Sequence, residues 1–350
     1  MSGLESLVAP RRPLSPWQLF YGAAHRLRRS WYASRAARLP LPVISVGNLH
    51  WGGTGKTPMV AAVARRLADQ GKRVAILSRG YGRRGTGIHV VSAGHGPMLG
   101  PRLAGDEPVA LAAELPGVAI VVGNDRYLAG LHAIERLAER PDCFVLDDGF
   151  SHVRLERDLD ILILPAHDPF GGGRLLPYGR LREPLSSVRH ATAVVLSGAG
   201  EPGPDSHGVR RGEQLAEALA PFGFRGPGFS SRTIALDVQT QRHRPLPVGA
   251  AVFLVSGIAN PERFVESVAA LPLEVVGAHA FGDHHEYRDR DVASVQDLAR
   301  SSGAEWILTT TKDYVKLLGR LEIPLAHLPI RAEPEPAFWN WLDGRLLELS

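Results

Sequence analysis

The 350-residue sequence predicts an α/β fold built on mostly parallel sheets. Three observations predict it. Val43-Ile44-Ser45-Val46 reads as a buried strand that runs into Gly52-Gly53-Thr54-Gly55-Lys56-Thr57 and then a helical run from Met59 to Ala68. That is the strand, glycine loop and helix of a P-loop. Downstream, short apolar runs alternate with helical stretches, as in successive βα units. A second such alternation begins at Ala251, so two α/β units are expected, which agrees with the chain's length.

The first 42 residues stand apart. They hold seven arginines and one acid, Glu5, in a chain whose net charge is +4, so the body is close to neutral. A nucleic-acid reader more often carries its charge on the folded body, and none is expected as a partner. Pro16 to Ala37 reads as an amphipathic helix, with Ser15 as a candidate N-cap and Pro16 in the first turn. Trp17, Leu19, Phe20, Tyr21, Leu27, Trp31 and Tyr32 share it with arginines, a mixture that suits a membrane interface or a helix packed on its own domain. No apolar run approaches the roughly 18 residues of a membrane span, and arginines stand where a signal peptide needs an apolar core. The one cysteine, Cys143, excludes an internal disulfide and points to a reducing compartment.

In the P-loop, glycines let backbone N–H groups turn inward around a phosphate, and the helix N-terminus adds partial positive charge. Gly52, Gly53, Thr54 and Gly55 are the expected cradle; Lys56 would reach the β- and γ-phosphates and Thr57 would hold Mg²⁺. His50 occupies the place of the motif's first glycine, so the turn is expected to be reshaped. A second strand, Arg73 to Ser78, ends in the basic loop Arg79-Gly80-Tyr81-Gly82-Arg83-Arg84-Gly85, placed to meet an anionic substrate. Gly105-Asp106-Glu107-Pro108 opens a helix to Leu115, where Asp106 reads equally as an N-cap or as a catalytic carboxylate. Val118 to Val122 is a strand, and Asn124-Asp125-Arg126 opens a helix to about Arg140. The strand Cys143 to Leu146 ends in Asp147-Asp148-Gly149-Phe150, a Walker B arrangement with Asp147 and Asp148 as Mg²⁺ candidates. Leu159 to Leu164 and Thr192 to Leu196 complete the first sheet, with a glycine-rich loop from Phe170 to Pro184 between them.

The expected division is an arm over 1–42, a P-loop core over 43–225, a β-strand linker over 226–248 and a smaller α/β unit over 249–350. In the last, strands at Ala251–Gly257, Glu274–Gly277 and Trp306–Thr309 alternate with helices at Pro261–Leu271 and Asp289–Ser301.

The ordered set of motifs resembles one family. Val46-Gly47-Asn48 with the P-loop, Ser78-Arg79-Gly80-Tyr81-Gly82-Arg83, Gly105-Asp106-Glu107-Pro108 and Leu146-Asp147-Asp148-Gly149-Phe150 come first. Leu181-Arg182-Glu183-Pro184, Gly257-Ile258-Ala259-Asn260-Pro261, Asp283-His284-His285 and Thr311-Lys312-Asp313 follow. Together they are similar to the tetraacyldisaccharide 4′-kinases of lipid A biosynthesis. Ser151, Tyr178 and Arg180 depart from the family's usual residues.

The resemblance implies two α/β/α sandwich domains joined by a strand linker. It implies transfer of the ATP γ-phosphate, with Mg²⁺, to the 4′-hydroxyl of an acylated glucosamine disaccharide 1-phosphate. The work would be done peripherally at the cytoplasmic face of the inner membrane, with residues 16–37 on an anionic bilayer and no obligate protein partner. It places Asp106 beside the acceptor hydroxyl as base, with His284 orienting the carboxylate or relaying the proton, and Lys56 stabilising the transferred phosphoryl. Arg79, Tyr81, Arg126, His152 and Glu183 are the substrate-side candidates. A partner-driven P-loop ATPase and a soluble small-molecule kinase are the rival readings. The guanine motif of a GTPase switch is not met, because Thr311-Lys312-Asp313 lacks its intervening residue.

Overall fold

The structure, a computed structural model, describes residues 16–198, 207–241 and 245–349. Arg11, Arg12 and Ser15 of the arm, residues 242–244 of the expected linker, and the side chains of Trp17 and Leu19 lie outside what is described.

Helix α1 (Pro16–Ala33) leads into β1 (Val43–Gly47), the P-loop and α2 (Lys56–Asp69). Then come β2 (Val74–Ser78), β3 (His89–Ala93), the short α3 (Pro101–Ala104), α4 (Asp106–Glu114), β4 (Ala119–Val122), α5 (Arg126–Arg136) and β5 (Cys143–Asp147). β6 (Leu159–Pro165), β7 (Ala193–Ser197), α6 (His207–Leu219) and β8 (Gly228–Ala235) follow. Among the described residues these strands and one later strand form a nine-stranded sheet. β1 lies between β5 and β6, and β2 lies on the far side of β5, all parallel.

Both faces of the sheet's middle are covered, so the inner strands β1, β2, β5 and β6 are buried along their whole length while successive side chains alternate in direction. Ile44 and Val46 of β1 enter one core with α2 and α4, and Val43 enters the opposite core with Leu146 and Ala129. Gly47 is constrained by a neighbour: a Cβ there would lie 2.5 Å from the Phe150 Cβ. The end of β1 therefore touches the turn that follows β5.

Among the described residues the second sheet has five strands, β9 (Gln239–Thr240), β10 (Ala251–Ser256), β11 (Glu274–Ala280), β12 (Trp306–Thr310) and β13 (Leu325–Leu328), in the order β11-β10-β12-β13-β9. Helices α7 (Pro261–Ala269), α8 (Asp289–Ser301) and α9 (Thr311–Leu317) alternate with them.

The expected boundaries need correction at two places. The chain does not stay with the smaller sheet to its end. β14 (Ile330–Pro334) pairs antiparallel with β8, and α10 (Pro336–Leu347) buries Phe338, Leu342 and Leu346 in the core that α2 shares. The i, i+4, i+8 spacing of those three residues makes an apolar stripe that needs a partner, and the large sheet supplies it. Likewise residues 228–231, expected as linker, are buried and pair with β7. The crossings between sheets fall instead at 235–239 and 328–330.

Helix α1 ends at Ala33 rather than Ala37. It is inverted relative to an ordinary surface helix. Gln18, Gly22, His25 and Arg29 are buried, whereas Phe20, Leu27 and Trp31, on the other face, are 68%, 74% and 53% exposed. The polar face docks. Arg29 pairs with Glu183 at 3.2 Å and lies 4.6 Å over the Phe150 ring, and the Arg154 guanidinium donates to the Tyr32 hydroxyl at 2.9 Å.

Candidate active site

The strand order brings four chemistry-bearing loops to one sheet edge. In a parallel sheet the loops at the C-terminal ends of neighbouring strands line a common crevice. Here β1 ends in the P-loop, β5 in Asp147-Asp148, β2 in Ser78-Arg79 and β4 in Asn124-Asp125-Arg126. Register does the fine placement: Val46 pairs with Asp147 and Leu77 with Leu146. Ser78, one residue on, donates its hydroxyl to Asp147 Oδ2 at 2.9 Å.

The loop after β1 accommodates His50 without strain. The loop takes left-handed backbone at Gly52 and Gly55, while His50 has no positive φ and so needs no glycine. His50 is buried, and burial pushes its imidazole down to about 4, so it is neutral. Its Nε2–H donates to the Asp168 carbonyl at 2.9 Å. The Trp51 N–H donates to Arg180 O and the Arg182 N–H to Leu49 O, both at 2.7 Å. The turn is thus pinned to the loop after β6. Asn48 closes the loop from inside by donating to the Thr54 hydroxyl at 2.7 Å.

Lys56, Asp148 and Arg182 form one cluster. Lys56 Nζ lies 2.7 Å from Asp148 Oδ1, and Arg182 clamps both Asp148 oxygens at 2.8 and 3.0 Å. Burial would raise the Asp148 carboxyl, but Lys56 and Arg182 hold it far below the usual range. Asp148 itself sits at φ 51°; it and His284, at φ 58°, are the described non-glycine residues with positive φ. Left-handed backbone at non-glycine residues is uncommon and gathers at functional sites.

Asp147 behaves differently from its neighbour. It is buried and its Oδ1 has no hydrogen-bond partner among the described residues. Burial, Glu107 and Asp148 push its carboxyl up to about 6, against the pull of Lys56. A buried carboxylate oxygen with no hydrogen-bond partner among the described residues, at the sheet edge where α2 starts, fits a divalent cation. No cluster of three or more His, Cys, Asp or Glu able to hold a metal occurs among the described residues. Few protein ligands is what Mg²⁺ uses when phosphates and water complete its octahedron.

The second cluster joins the two sheets. Asp106 is the first residue of α4, whose N-cap is Gly105, so the N-cap reading of Asp106 is not the one adopted. The His284 Nδ1 lies 3.2 Å from Asp106 Oδ2, and the ring edge of Tyr81 packs on His284 with centroids 5.1 Å apart. Lys316 lies 3.6 Å from Asp106 Oδ2. Burial opposes ionisation of Asp106, but the His284 hydrogen bond with Lys312 and Lys316 hold its carboxyl down at about 2.

Arg126 is buried at the start of α5, where burial lowers it and Asp147 and Asp148 raise it. His152 Nε2 is buried without a partner among the described residues, and burial with Arg126 pushes the ring down to about 4. Arg79 and Tyr81 are exposed on the same edge. Glu183 does not join them: its carboxylate is buried under α1, bound to Arg29 and to the Ser151 hydroxyl at 2.5 Å. Ser151, one of the three departures, thus finds its partner there. Arg182, Lys312, Lys316 and Glu107 gain their roles only from the structure. Arg182, Lys312 and Glu107 stand inside the family's motifs, which is the signal that could have found them.

The family model described as LpxK, tetraacyldisaccharide-1-P 4′-kinase, matches residues 10–347. A tetraacyldisaccharide 4′-kinase of Geobacter sulfurreducens is 44% identical over 311 residues, covering 86% of this chain and 82% of its own. One from Syntrophus aciditrophicus is 39% identical over 353 residues, covering 94% and 93%. Among solved structures, LpxK from Aquifex aeolicus in complex with ATP superposes with a TM-score of 0.74 at 32% identity, over 95% of this chain and 97% of that one.

Proposed function

The chain belongs to the tetraacyldisaccharide-1-P 4′-kinase family, and from that premise we propose how its own residues carry the reaction. It is a lipid A 4′-kinase, transferring a phosphoryl group from ATP to its acylated disaccharide acceptor. The acceptor is the 4′-hydroxyl of a tetraacylated glucosamine disaccharide 1-phosphate. The observation that carries the residue assignment is the meeting, at one sheet edge, of a phosphate loop with Lys56 and a buried carboxylate–imidazole pair, Asp106 and His284.

Gly52, Gly53, Thr54 and Gly55 wrap the nucleotide phosphates, and Lys56 turns from Asp148 to the transferred phosphoryl oxygens. Arg182 keeps Asp148 neutralised when Lys56 leaves it. Thr57 and Asp147 would hold Mg²⁺, with Asp148 behind them, and the bound ion would supply positive charge against the phosphates. Asp106 accepts the proton of the acceptor hydroxyl as that oxygen bonds to the γ-phosphorus. The bond from phosphorus to the bridging oxygen breaks, its electron pair leaving with ADP. Arg79, Tyr81, Arg126 and His152 face the acceptor, and Glu183 contributes by seating α1. Because the groups come from both sheets, the cleft closes when both substrates are bound.

The inverted α1 is the membrane contact, peripheral at the cytoplasmic face of the inner membrane. No described helix is long and apolar enough to cross a bilayer. Phe20, Leu27 and Trp31 form an outward apolar stripe flanked by exposed Arg26 and Arg28, suited to headgroup depth and anionic lipid. Burying each apolar side chain is worth roughly 1.5–3 kcal/mol. Phe20→Asp with Leu27→Asp should therefore lower co-sedimentation with anionic vesicles at least about tenfold. Unchanged co-sedimentation removes this reading.

The reaction is tested by incubating the protein with γ-labelled ATP and the tetraacyl disaccharide 1-phosphate in mixed micelles. Label is expected on the lipid, and release of inorganic phosphate alone would overturn the assignment.

A further inference from the structure

A tight turn in the loop after β6 carries exposed apolar groups that the phosphoryl-transfer chemistry does not use. Residues 169–182 contain three arginines and no acid. Leu175 and Leu181 bridge to each other and are buried with Phe170 and Leu49, so the stem of the turn is set in the core. The Leu176 N–H donates to Leu181 O at 2.9 Å, and the Tyr178 N–H donates to Leu175 O at 3.1 Å. Gly179 closes the turn, since any side chain there would strike the Arg174 carbonyl. At the tip Leu176 and Tyr178 stand outside the core, and Tyr178 is 65% exposed. Arg174 and Arg180 flank them, both exposed, and neither makes an ion pair among the described residues. Trp51, 61% exposed, adjoins the turn through its N–H bond to Arg180 O. The base of the turn also meets α1, where the Tyr21 hydroxyl donates to Arg182 O at 3.4 Å.

We infer that the turn at 175–181 is a second bilayer contact, which lays Leu176 and Tyr178 at headgroup depth beside α1 and sets Arg174 and Arg180 against lipid phosphates. An exposed tyrosine or leucine by itself assigns nothing, because single apolar side chains are common on protein surfaces. Charge and continuity name the occupant here. An apolar tip with an aromatic hydroxyl, two unpaired cations and no acid along the segment suits an anionic lipid interface. The turn also adjoins the helix that carries the outward stripe of Phe20, Leu27 and Trp31. A helix lying in an interface can roll about its own axis, and a second contact displaced to one side stops the roll. The turn is tied to the residues that open the P-loop, by the Trp51 N–H to Arg180 O and the Arg182 N–H to Leu49 O. Seating the turn on the bilayer therefore fixes the height of the phosphate loop above the lipid that delivers the acceptor.

This inference rests on α1 as the membrane contact, and the test separates the two. Full-length protein carrying Tyr178→Cys is labelled with an environment-sensitive fluorophore; Cys143 is buried, so the surface thiol takes the label. Phe20→Cys, labelled in the same way, reports on α1. Both are mixed with phosphatidylglycerol–phosphatidylethanolamine vesicles that contain no acceptor. Both labels are expected to shift to the blue and to be quenched by doxyl-labelled lipid. A label at 178 that stays in water while the label at 20 enters lipid overturns the inference and leaves α1 standing. A label at 20 that stays in water overturns the α1 reading instead. A response at 178 that needs acceptor in the vesicles also overturns the inference, because the turn then contacts the acceptor rather than the bilayer. Leu176→Asp with Tyr178→Asp should lower co-sedimentation with these vesicles about tenfold. Both side chains stand outside the core, so the melting temperature should stay within about two degrees of wild type. Unchanged co-sedimentation of that folded variant overturns the inference.

Discussion

Lys56→Ala is expected to lower kcat for phosphoryl transfer by roughly 10³-fold while the protein stays folded. In the transition state charge spreads over the equatorial oxygens of the transferred group, and Lys56 is the cation of the loop that reaches them. Its present partner does not depend on it. Asp148 is clamped on both oxygens by Arg182, so removing Lys56 does not leave a buried carboxylate unpaired. The variant should therefore melt within a few degrees of wild type by circular dichroism. Lys56→Arg should recover little, because the planar guanidinium cannot occupy the place of a compact ammonium. A well-folded Lys56→Ala enzyme with near-normal turnover would remove the P-loop assignment.

Asp106→Asn is expected to cost about 10²–10⁴-fold in kcat with little change in the KM for ATP. The change preserves shape and removes the charge that accepts the proton. The neighbours remain satisfied: Lys316 keeps Asp313, and Lys312 keeps Glu107 and Asp283. The Asp106 carboxylate accepts from the Glu107 N–H, hydrogen-bonds His284 and forms a longer ion pair with Lys316, none of them in the P-loop, so nucleotide affinity should be spared. A lysine-lined carboxylate held at about 2 is fully ionised throughout the working pH range and presents an acceptor to the hydroxyl at all times. Measuring kcat and KM separately decides the point, since a loss confined to KM would make Asp106 a binding group only.

Much of the larger sheet was legible because its signals are local. A strand, a glycine turn and a helix sit within about thirty residues, and each residue type answers to its neighbours along the chain. The P-loop, the acids after β5 and the basic loop after β2 were all found this way. β3 lacks such a signal: its His89, Val90 and Val91 are an edge strand of modest apolarity. α10 was missed because its stripe acquires meaning only against α2, far back along the chain.

The resemblance brought Asp106 and His284 into one reading, and the structure supplied how they are held. Glu183 reads as a substrate contact in a motif and is instead committed to Arg29 of α1. Arg182 beside it points the other way, to Asp148. Two adjacent residues in a bend of the chain thus serve different neighbours.

The sequence by itself determined the local chemistry: which loop carries the glycines and lysine of a phosphate cradle, which strand ends in acids, which arm is basic and aromatic. Only the tertiary structure decided which charges meet. Lys56 reaches Asp148 across 92 positions, which strand order and register set, and His284 reaches Asp106 across 178, where α4 of the large sheet packs on α9 of the smaller one. It also decided that α1 turns its polar face inward and its aromatic stripe out. The physical reason is range. Propensity and periodicity act within a few turns of chain, whereas a site made of opposite charges forms only where folding has already placed them within hydrogen-bond reach.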